Sequence, residues 1–138
     1  ICIFVLLAVT AQGQAPTEIP SAKPVGTMSE LMLDVLFPVS NEIFYVGRNE
    51  NKTEKDWIDL RQNALALAEL ANLLMTPERA YDKDQWMREA KLLWDVGNKA
   101  YKFAKARDLP ALEALNDELY EACQSCHVRY RPGYKRRL

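Results

Sequence analysis

A Cys-x-x-Cys-His sequence, Cys123-Gln124-Ser125-Cys126-His127, lies close to the C-terminal end of the 138-residue chain. Two cysteines at this spacing, followed directly by a histidine, form the attachment signature of c-type haem. The two thiols add across the two vinyl groups of one porphyrin, and the imidazole of the next residue reaches the iron. The motif therefore predicts one covalently bound haem c.

A helix would place the three side chains of this motif on one face. At about 100° per residue, Cys126 and His127 lie at about −60° and +40° from Cys123. The same stripe continues in Leu112, Leu115, Leu119 and Tyr130. We therefore expect the haem to lie against an apolar core.

Three other interpretations of Cys123 and Cys126 fit the sequence less well. A disulfide between them would fit poorly inside a helix and would hold little of the fold together. A thioredoxin-type redox pair belongs at the start of a helix that follows a strand, and no strand pattern precedes these residues. A zinc site needs a fourth ligand, and apart from Cys2, which lies in the apolar N-terminal run, the chain has no further Cys or His to supply one.

Two amphipathic helices are predicted in the first half of the chain. The first covers about 27–47: Thr27 and Glu30 form a capping box, and Pro38 should kink the helix. Its apolar stripe is Met28, Met32, Val35, Leu36, Val39, Ile43 and Val46. Thr53 caps the second helix, which should end before the Thr76-Pro77 pair. Its stripe is Trp57, Leu60, Ala64, Leu67, Ala71 and Leu74.

Two more helices are predicted in the second half. The third starts at Asp82 or Asp84, and the fourth opens at Asp108 and Pro110 and runs to Pro132. The inward stripe of the third helix is Trp86, Ala90, Leu93, Trp94, Gly97, Ala100, Tyr101 and Ala104. Four such helices joined by short links predict an all-α, antiparallel four-helix bundle, with the haem attached near its C-terminus. Aromatic stripes of this kind are more often core than cofactor pocket.

Length and composition argue against several kinds of protein. One domain is expected at this length. With 18 Lys and Arg against 19 Asp and Glu, the formal charge is −1, which argues against a nucleic-acid-binding protein. A single histidine nearly excludes catalysis by a histidine relay, so no enzymatic activity is predicted.

The N-terminal residues resemble an export signal. The uncharged run 1–11 is followed by small residues and then by three prolines, which predicts a signal peptide over 1–15 and an extended leader over 16–26. The apolar run is too short to span a bilayer as a helix, so the mature chain should have no membrane span. Cys2 would leave with the signal, and residues 27–138 would form the haem-binding domain.

The chain resembles the cytochrome c prime family, the class II c-type cytochromes. The resemblance is carried by the haem motif near the C-terminus, by Tyr130-Arg131 that follows it, and by the helical pattern from about 27 to 134. It implies that His127 is the proximal iron ligand and that the first helix faces the other side of the haem. Tyr130 and Arg131 would lie in the haem surroundings, and a basic residue could pair with a propionate. It also implies a periplasmic protein, with an unidentified redox partner and, as in many relatives, a homodimer through the first two helices.

Members of that family divide by the residue on the distal side of the iron. A Met sulfur there gives an electron carrier, whereas an apolar residue leaves a five-coordinate iron that binds small gases. Met32 is the expected distal ligand, because thioether is a recognised iron ligand and Glu30-Leu31-Met32 resembles the Lys-Leu-Met pattern of low-spin members. Met28 is the second choice, and core packing of either methionine is the alternative.

These residues together predict a periplasmic cytochrome that carries single electrons on one haem, ligated by His127 and Met32. The first alternative is a five-coordinate haem protein that binds nitric oxide or carbon monoxide. The second is a haem-free helical interaction module.

Overall fold

The computed structural model of the chain describes residues 22–131 and 133. The predicted signal peptide, the first part of the leader and most of the basic C-terminus lie outside the described residues. All regular elements in the described range are helical, and four helices pack against each other, which confirms the all-α prediction. None of the helices in this part of the chain has the length and apolar character needed to cross a membrane.

The first helix, α1, is built from three consecutive parts. It begins as an α-helix at Met28–Glu30, continues as a π-helix at Leu31–Leu36 and returns to an α-helix at Phe37–Phe44. The predicted capping box is confirmed, because Thr27 Oγ1 accepts from the Glu30 backbone N–H and the Glu30 carboxylate accepts from the Thr27 backbone N–H.

The expected stretch 27–47 is too long for α1. The α-helix ends at Phe44, and a 3-10 turn follows at Val46–Arg48. Val35, assigned to the apolar stripe, is 43% exposed, whereas Leu31 is buried. The stripe was drawn at regular α-helical spacing, and the extra residue in a π turn rotates the residues that follow it.

The second helix, α2, covers Glu54–Leu74, and the third, α3, covers Gln85–Ala106. Thr53 caps α2 as predicted, with Asp56 as its capping-box partner. Both aspartates proposed for the start of α3 take part. Asp84 occupies the N-cap position without a side-chain cap bond, while Asp82 accepts from the backbone N–H of Trp86 at 3.0 Å.

The fourth helix, α4, is interrupted, which corrects the prediction of one continuous helix to Pro132. Its first part covers Leu109–Glu113, capped by Asp108, and its second part covers Asn116–Tyr130. In the intervening turn the Leu115 N–H bonds to the Leu112 carbonyl, three residues back. Next to this turn, the Asn116 amide donates to the Phe44 carbonyl at 3.2 Å and satisfies the end of α1.

Close contacts join α2 and α3 along their length. The Trp86 indole N–H, near the start of α3, donates to the Leu74 carbonyl at the end of α2 at 2.6 Å. Near the end of α3, Arg107 forms a bidentate ion pair with Glu54, the first residue of α2. Residues of all four helices share one apolar core, whose fully covered side chains include Ile43, Ala64, Leu67, Ala71, Ala100, Leu112 and Leu119.

Candidate functional site

A cavity of about 400 Å³ collects the residues of the Cys-x-x-Cys-His motif. Cys123, Cys126 and His127 lie in the last turns of α4, and all three line this cavity. Both cysteines are half-buried and pack against the apolar core. The helical spacing therefore directs the three reactive side chains into one space, as the sequence predicts.

A second wall of the cavity comes from α1. Met28 and Met32, the two candidate distal ligands, both line it. Tyr130 and Arg131 line it as well, so the cavity brings together all seven predicted site residues. The other lining residues are mainly apolar and aromatic: Ser29, Leu33, Leu36, Phe37, Ser40, Phe44, Tyr81 and Trp86.

The π-helical part of α1 forms the cavity wall around Met32. The Phe37 N–H donates to the Met32 carbonyl, five residues back, as the π register requires. Pro38 follows immediately and has no N–H to donate to the preceding turn. The expected disturbance at Pro38 therefore takes the form of a π turn, and π turns occur frequently at functional sites.

Tyr130 connects the end of α4 with the start of α3. Its hydroxyl donates to Asp82 Oδ2, and its ring packs edge-on against Trp86 with the ring centroids 5.0 Å apart. Tyr81 lies against Trp86 on another side, at 4.9 Å between centroids. The hydrogen bond to Tyr130 is the main reason that the pKa of Asp82 lies below its usual range.

Burial governs the ionisation of the motif residues. It raises the pKa of Cys123 to about 11 and, together with the negative charge of Glu89, raises the pKa of Cys126 to about 12. Burial and the charge of Arg131 lower the pKa of His127. The histidine therefore favours its neutral form at neutral pH, which is the form that can bind a metal.

The state of the two cysteines can be compared with the three alternatives, which are a disulfide, a thioredoxin-type redox pair and a zinc site. Both residues are free thiols in the structure. Their raised pKa values are opposite to the lowered values of thioredoxin-type cysteines. Between residues 22 and 131, no cluster of three or more Cys, His, Asp or Glu side chains is placed to hold a metal ion.

The donor set and the cavity fit a c-type haem. Two thiols and an imidazole face a space bordered by aliphatic and aromatic side chains, which suits a porphyrin. The volume falls in the range of about 300–1,000 Å³ that is usual for ligand pockets. Arg131 supplies a guanidinium for an anionic propionate. Cys123, Cys126 and His127 would hold the group, with Met28 or Met32 available on the α1 side.

In comparisons with known proteins, no family model, curated protein or solved structure matched this chain.

Sequence reasoning missed several residues of the site. Trp86 packs in the core as expected, together with Trp57, Trp94 and Tyr101 against it, but its place in the cavity wall was not predicted. Asp82 was assigned only to the start of α3. Glu89 was not singled out at all. The signal for Glu89 was a carboxylate three residues after Trp86, on the side of α3 that carries the apolar stripe.

Proposed function

We propose that this chain is an exported c-type cytochrome of the class II type, which carries single electrons on one covalently bound haem. The observation that supports this most is the convergence of both thiols, the single histidine and two methionines on one cavity. The two methionines lie about 90 positions before the motif in sequence, so the fold brings the two sets together.

Each residue has a defined task in this proposal. The thiols of Cys123 and Cys126 form thioethers with the porphyrin vinyl groups, and the imidazole of His127 is the proximal iron ligand. The sulfur of Met32 is the distal ligand, with Met28 as the second choice. The haem supplies an iron that alternates between the ferric and ferrous states, while the protein excludes water and sets the potential.

The order of contacts along the helices supports the finer architecture as well. The start of α3 contacts the end of α2, and the end of α3 contacts the start of α2, as in an antiparallel pair. We extend this arrangement to an antiparallel four-helix bundle with the haem near the C-terminus. The signal-like residues 1–15 support export to the periplasm, where haem attachment takes place, and a redox protein would be the partner.

A five-coordinate haem that binds nitric oxide or carbon monoxide is the second candidate function. It is favoured by the other residues of the α1 wall, since Leu33, Leu36 and Phe37 also line the cavity and offer no iron ligand. If one of them faced the iron, the distal position would stay open to small gases.

Absorption spectra in both oxidation states test the proposal on chain produced with a haem-attachment system. We expect c-type haem bands, a mass increase of one haem, and haem stain on the protein band after denaturing electrophoresis. The matched control replaces Cys123 and Cys126 with Ser and should lose the covalent stain. His127→Ala should keep the thiols but change the iron spectrum.

Two results would contradict this proposal. Extraction of the haem from the wild-type protein into acidic organic solvent would show that it is not covalently bound. A folded chain that takes up no haem at all would favour the interaction module instead.

A further inference from the structure

Glu89 is a buried carboxylate beside the haem-attachment motif. It is 3% exposed and lies on α3, one turn after the cavity residue Trp86. Its Oε1 accepts a hydrogen bond from the Gln85 amide at 2.7 Å. Its Oε2 is buried and accepts no hydrogen bond from the described part of the chain. A buried polar atom without a partner is unusual in a folded protein and calls for an explanation.

The charge of Glu89 is only partly balanced. Among the described residues, its ion-pair partner is Arg129, whose Nε lies 3.8 Å from Oε1 and whose side chain is 59% exposed. Solvent therefore weakens this ion pair on the arginine side. On α4, the Cys126 thiol is a side-chain hydrogen-bond partner of the Glu89 carboxylate.

Burial of the Glu89 carboxylate at this position lowers the stability of the fold. Taking a carboxylate out of water costs several kcal/mol unless close partners replace the solvent. One amide, one thiol and one largely exposed guanidinium do so incompletely. An apolar residue at position 89 would extend the stripe that Trp86, Ala90 and Leu93 form on α3.

We propose that Glu89 sets the reduction potential of the haem iron. The inference depends on the proposed function, since it takes the haem to be attached at Cys126. Reduction of ferric iron by one electron adds one negative charge to the site, with no bond made or broken. A buried anion close to the attachment point therefore opposes reduction and holds the potential low, because charges interact strongly where solvent is excluded.

Arg129 should act in the opposite sense. Its positive charge offsets that of Glu89 and so favours the ferrous state. Since the guanidinium is more exposed than the carboxylate, its effect on the potential should be smaller. The other charged residues near the cavity, Arg131 and Asp82, are unchanged in the variants below and contribute equally to every measurement.

The test measures midpoint potentials of the haem-loaded protein by spectroelectrochemistry. Glu89→Gln keeps the side-chain shape and the bond from Gln85 but removes the charge. We expect it to raise the ferrous-to-ferric ratio at a fixed potential about tenfold, which corresponds to about 59 mV for one electron. Arg129→Gln should lower the potential. Asp95→Asn removes a surface carboxylate of α3 that pairs with Lys91, and should change the potential much less.

The directions of the potential shifts in the two charge variants decide whether Glu89 sets the potential. Opposite shifts for Glu89→Gln and Arg129→Gln support the inference, because a general disturbance of packing would not reverse sign with the charge. An unchanged potential in Glu89→Gln, or shifts of both variants in the same direction, would overturn it. If Glu89→Gln yields no haem protein, the direction of the shift in Arg129→Gln decides alone. Absence of covalent haem from the wild type would instead contradict the proposed function.

Discussion

Met28 and Met32 lie four positions apart on α1, and both line the cavity that holds the Cys-x-x-Cys-His motif. A thioether ligand would make the ferric protein low-spin and would raise its reduction potential. We expect Met32→Ala to convert the iron to a high-spin form that binds carbon monoxide and nitric oxide faster, because no internal ligand must leave first. The absorption spectrum and the gas-binding rates measure this change.

Met28→Ala is the matched control for Met32→Ala. Both methionines are half-buried. Each variant should therefore lose less through packing than the about 2–5 kcal/mol that removal of a fully buried Met side chain costs. Only loss of the ligand changes the spin state. Two results would contradict Met32 as the distal ligand. A wild-type protein that is already high-spin would favour gas binding. A spin change in Met28→Ala but not in Met32→Ala would assign the ligand to Met28.

The residues of the site differ in how far the sequence predicts them. Cys123, Cys126 and His127 can be predicted from the sequence, because the chemistry of haem attachment dictates their spacing. Glu89 cannot be predicted in this way, because its role follows from burial beside another helix. The burial of a carboxylate has no local sequence signal. Met32 lies between these cases: the sequence predicts that it ligates the iron, and the structure shows that it lines the cavity.

Asp82 links two helices through its bond with Tyr130, and this link should depend on pH. The Tyr130 hydroxyl holds the pKa of the Asp82 carboxyl below its usual range. A lowered pKa in the folded state means that the carboxylate contributes stability above about pH 4, and that this contribution is lost as pH falls through the folded-state pKa. Asp82→Asn should therefore lower stability at pH 7 and flatten the fall in stability below about pH 4. Urea unfolding at a series of pH values measures both effects.

Asp84→Asn provides the control for Asp82→Asn, because Asp84 stands at the N-cap of α3 without a side-chain cap bond. It should leave the pH profile close to that of the wild type. Tyr130→Phe removes the donor and should reproduce the profile of Asp82→Asn. If Tyr130→Phe leaves the acid limb unchanged, the hydrogen bond is not the source of the pH dependence.

Gly97 allows a close approach between α2 and α3. A Cβ added at this position would lie 2.8 Å from the Ala68 backbone nitrogen and 2.9 Å from its Cα, so the helices would have to move apart. We expect Gly97→Ala to destabilise the protein by up to about 2 kcal/mol, since overpacking costs about 1–3 kcal/mol and the better helix propensity of Ala returns about 1 kcal/mol. Thermal or urea unfolding measures the difference.

Lys102 supplies the matched comparison for Gly97, because it is exposed on the same helix. The pair Lys102→Gly and Lys102→Ala measures helix propensity without helix contact, and Ala should be the more stable by about 1 kcal/mol. An equal gain from Gly97→Ala would show that α2 and α3 are not held as close together as the structure has them.

At the level of elements, caps were predictable and irregular turns were not. Thr27, Thr53 and Asp108 start their helices as predicted, because a capping side chain acts on its own next turn. The π turn of α1 and the break in α4 do not depend on a capping side chain. The π turn directly precedes Pro38, and the break in α4 lies next to the Asn116 contact with α1. Hydrophobic periodicity alone predicts neither of them.

The whole molecule combines an apolar core with the cavity that collects the Cys-x-x-Cys-His motif, and only the core was predictable in detail. Residues of the predicted stripes, such as Leu67, Leu93 and Leu119, are buried as expected. The cavity depends on which helix ends meet, and helix pairing was inferred only from the economy of short links. Leu36 belongs to both regions, since it is 7% exposed in the core and also lines the cavity.

One core residue and one cavity residue can together test whether bound haem stabilises the fold. Leu67→Ala removes a fully buried side chain away from the cavity and should cost about 2–5 kcal/mol equally with and without attached haem. Leu36→Ala should cost more in the haem-loaded protein than in the haem-free chain, because only there does its side chain also pack on the porphyrin, and contacting groups couple by about 0.5–3 kcal/mol. Urea unfolding of both forms of each variant gives the four values required. Equal losses for Leu36→Ala in the two forms would show that α1 does not pack on the haem.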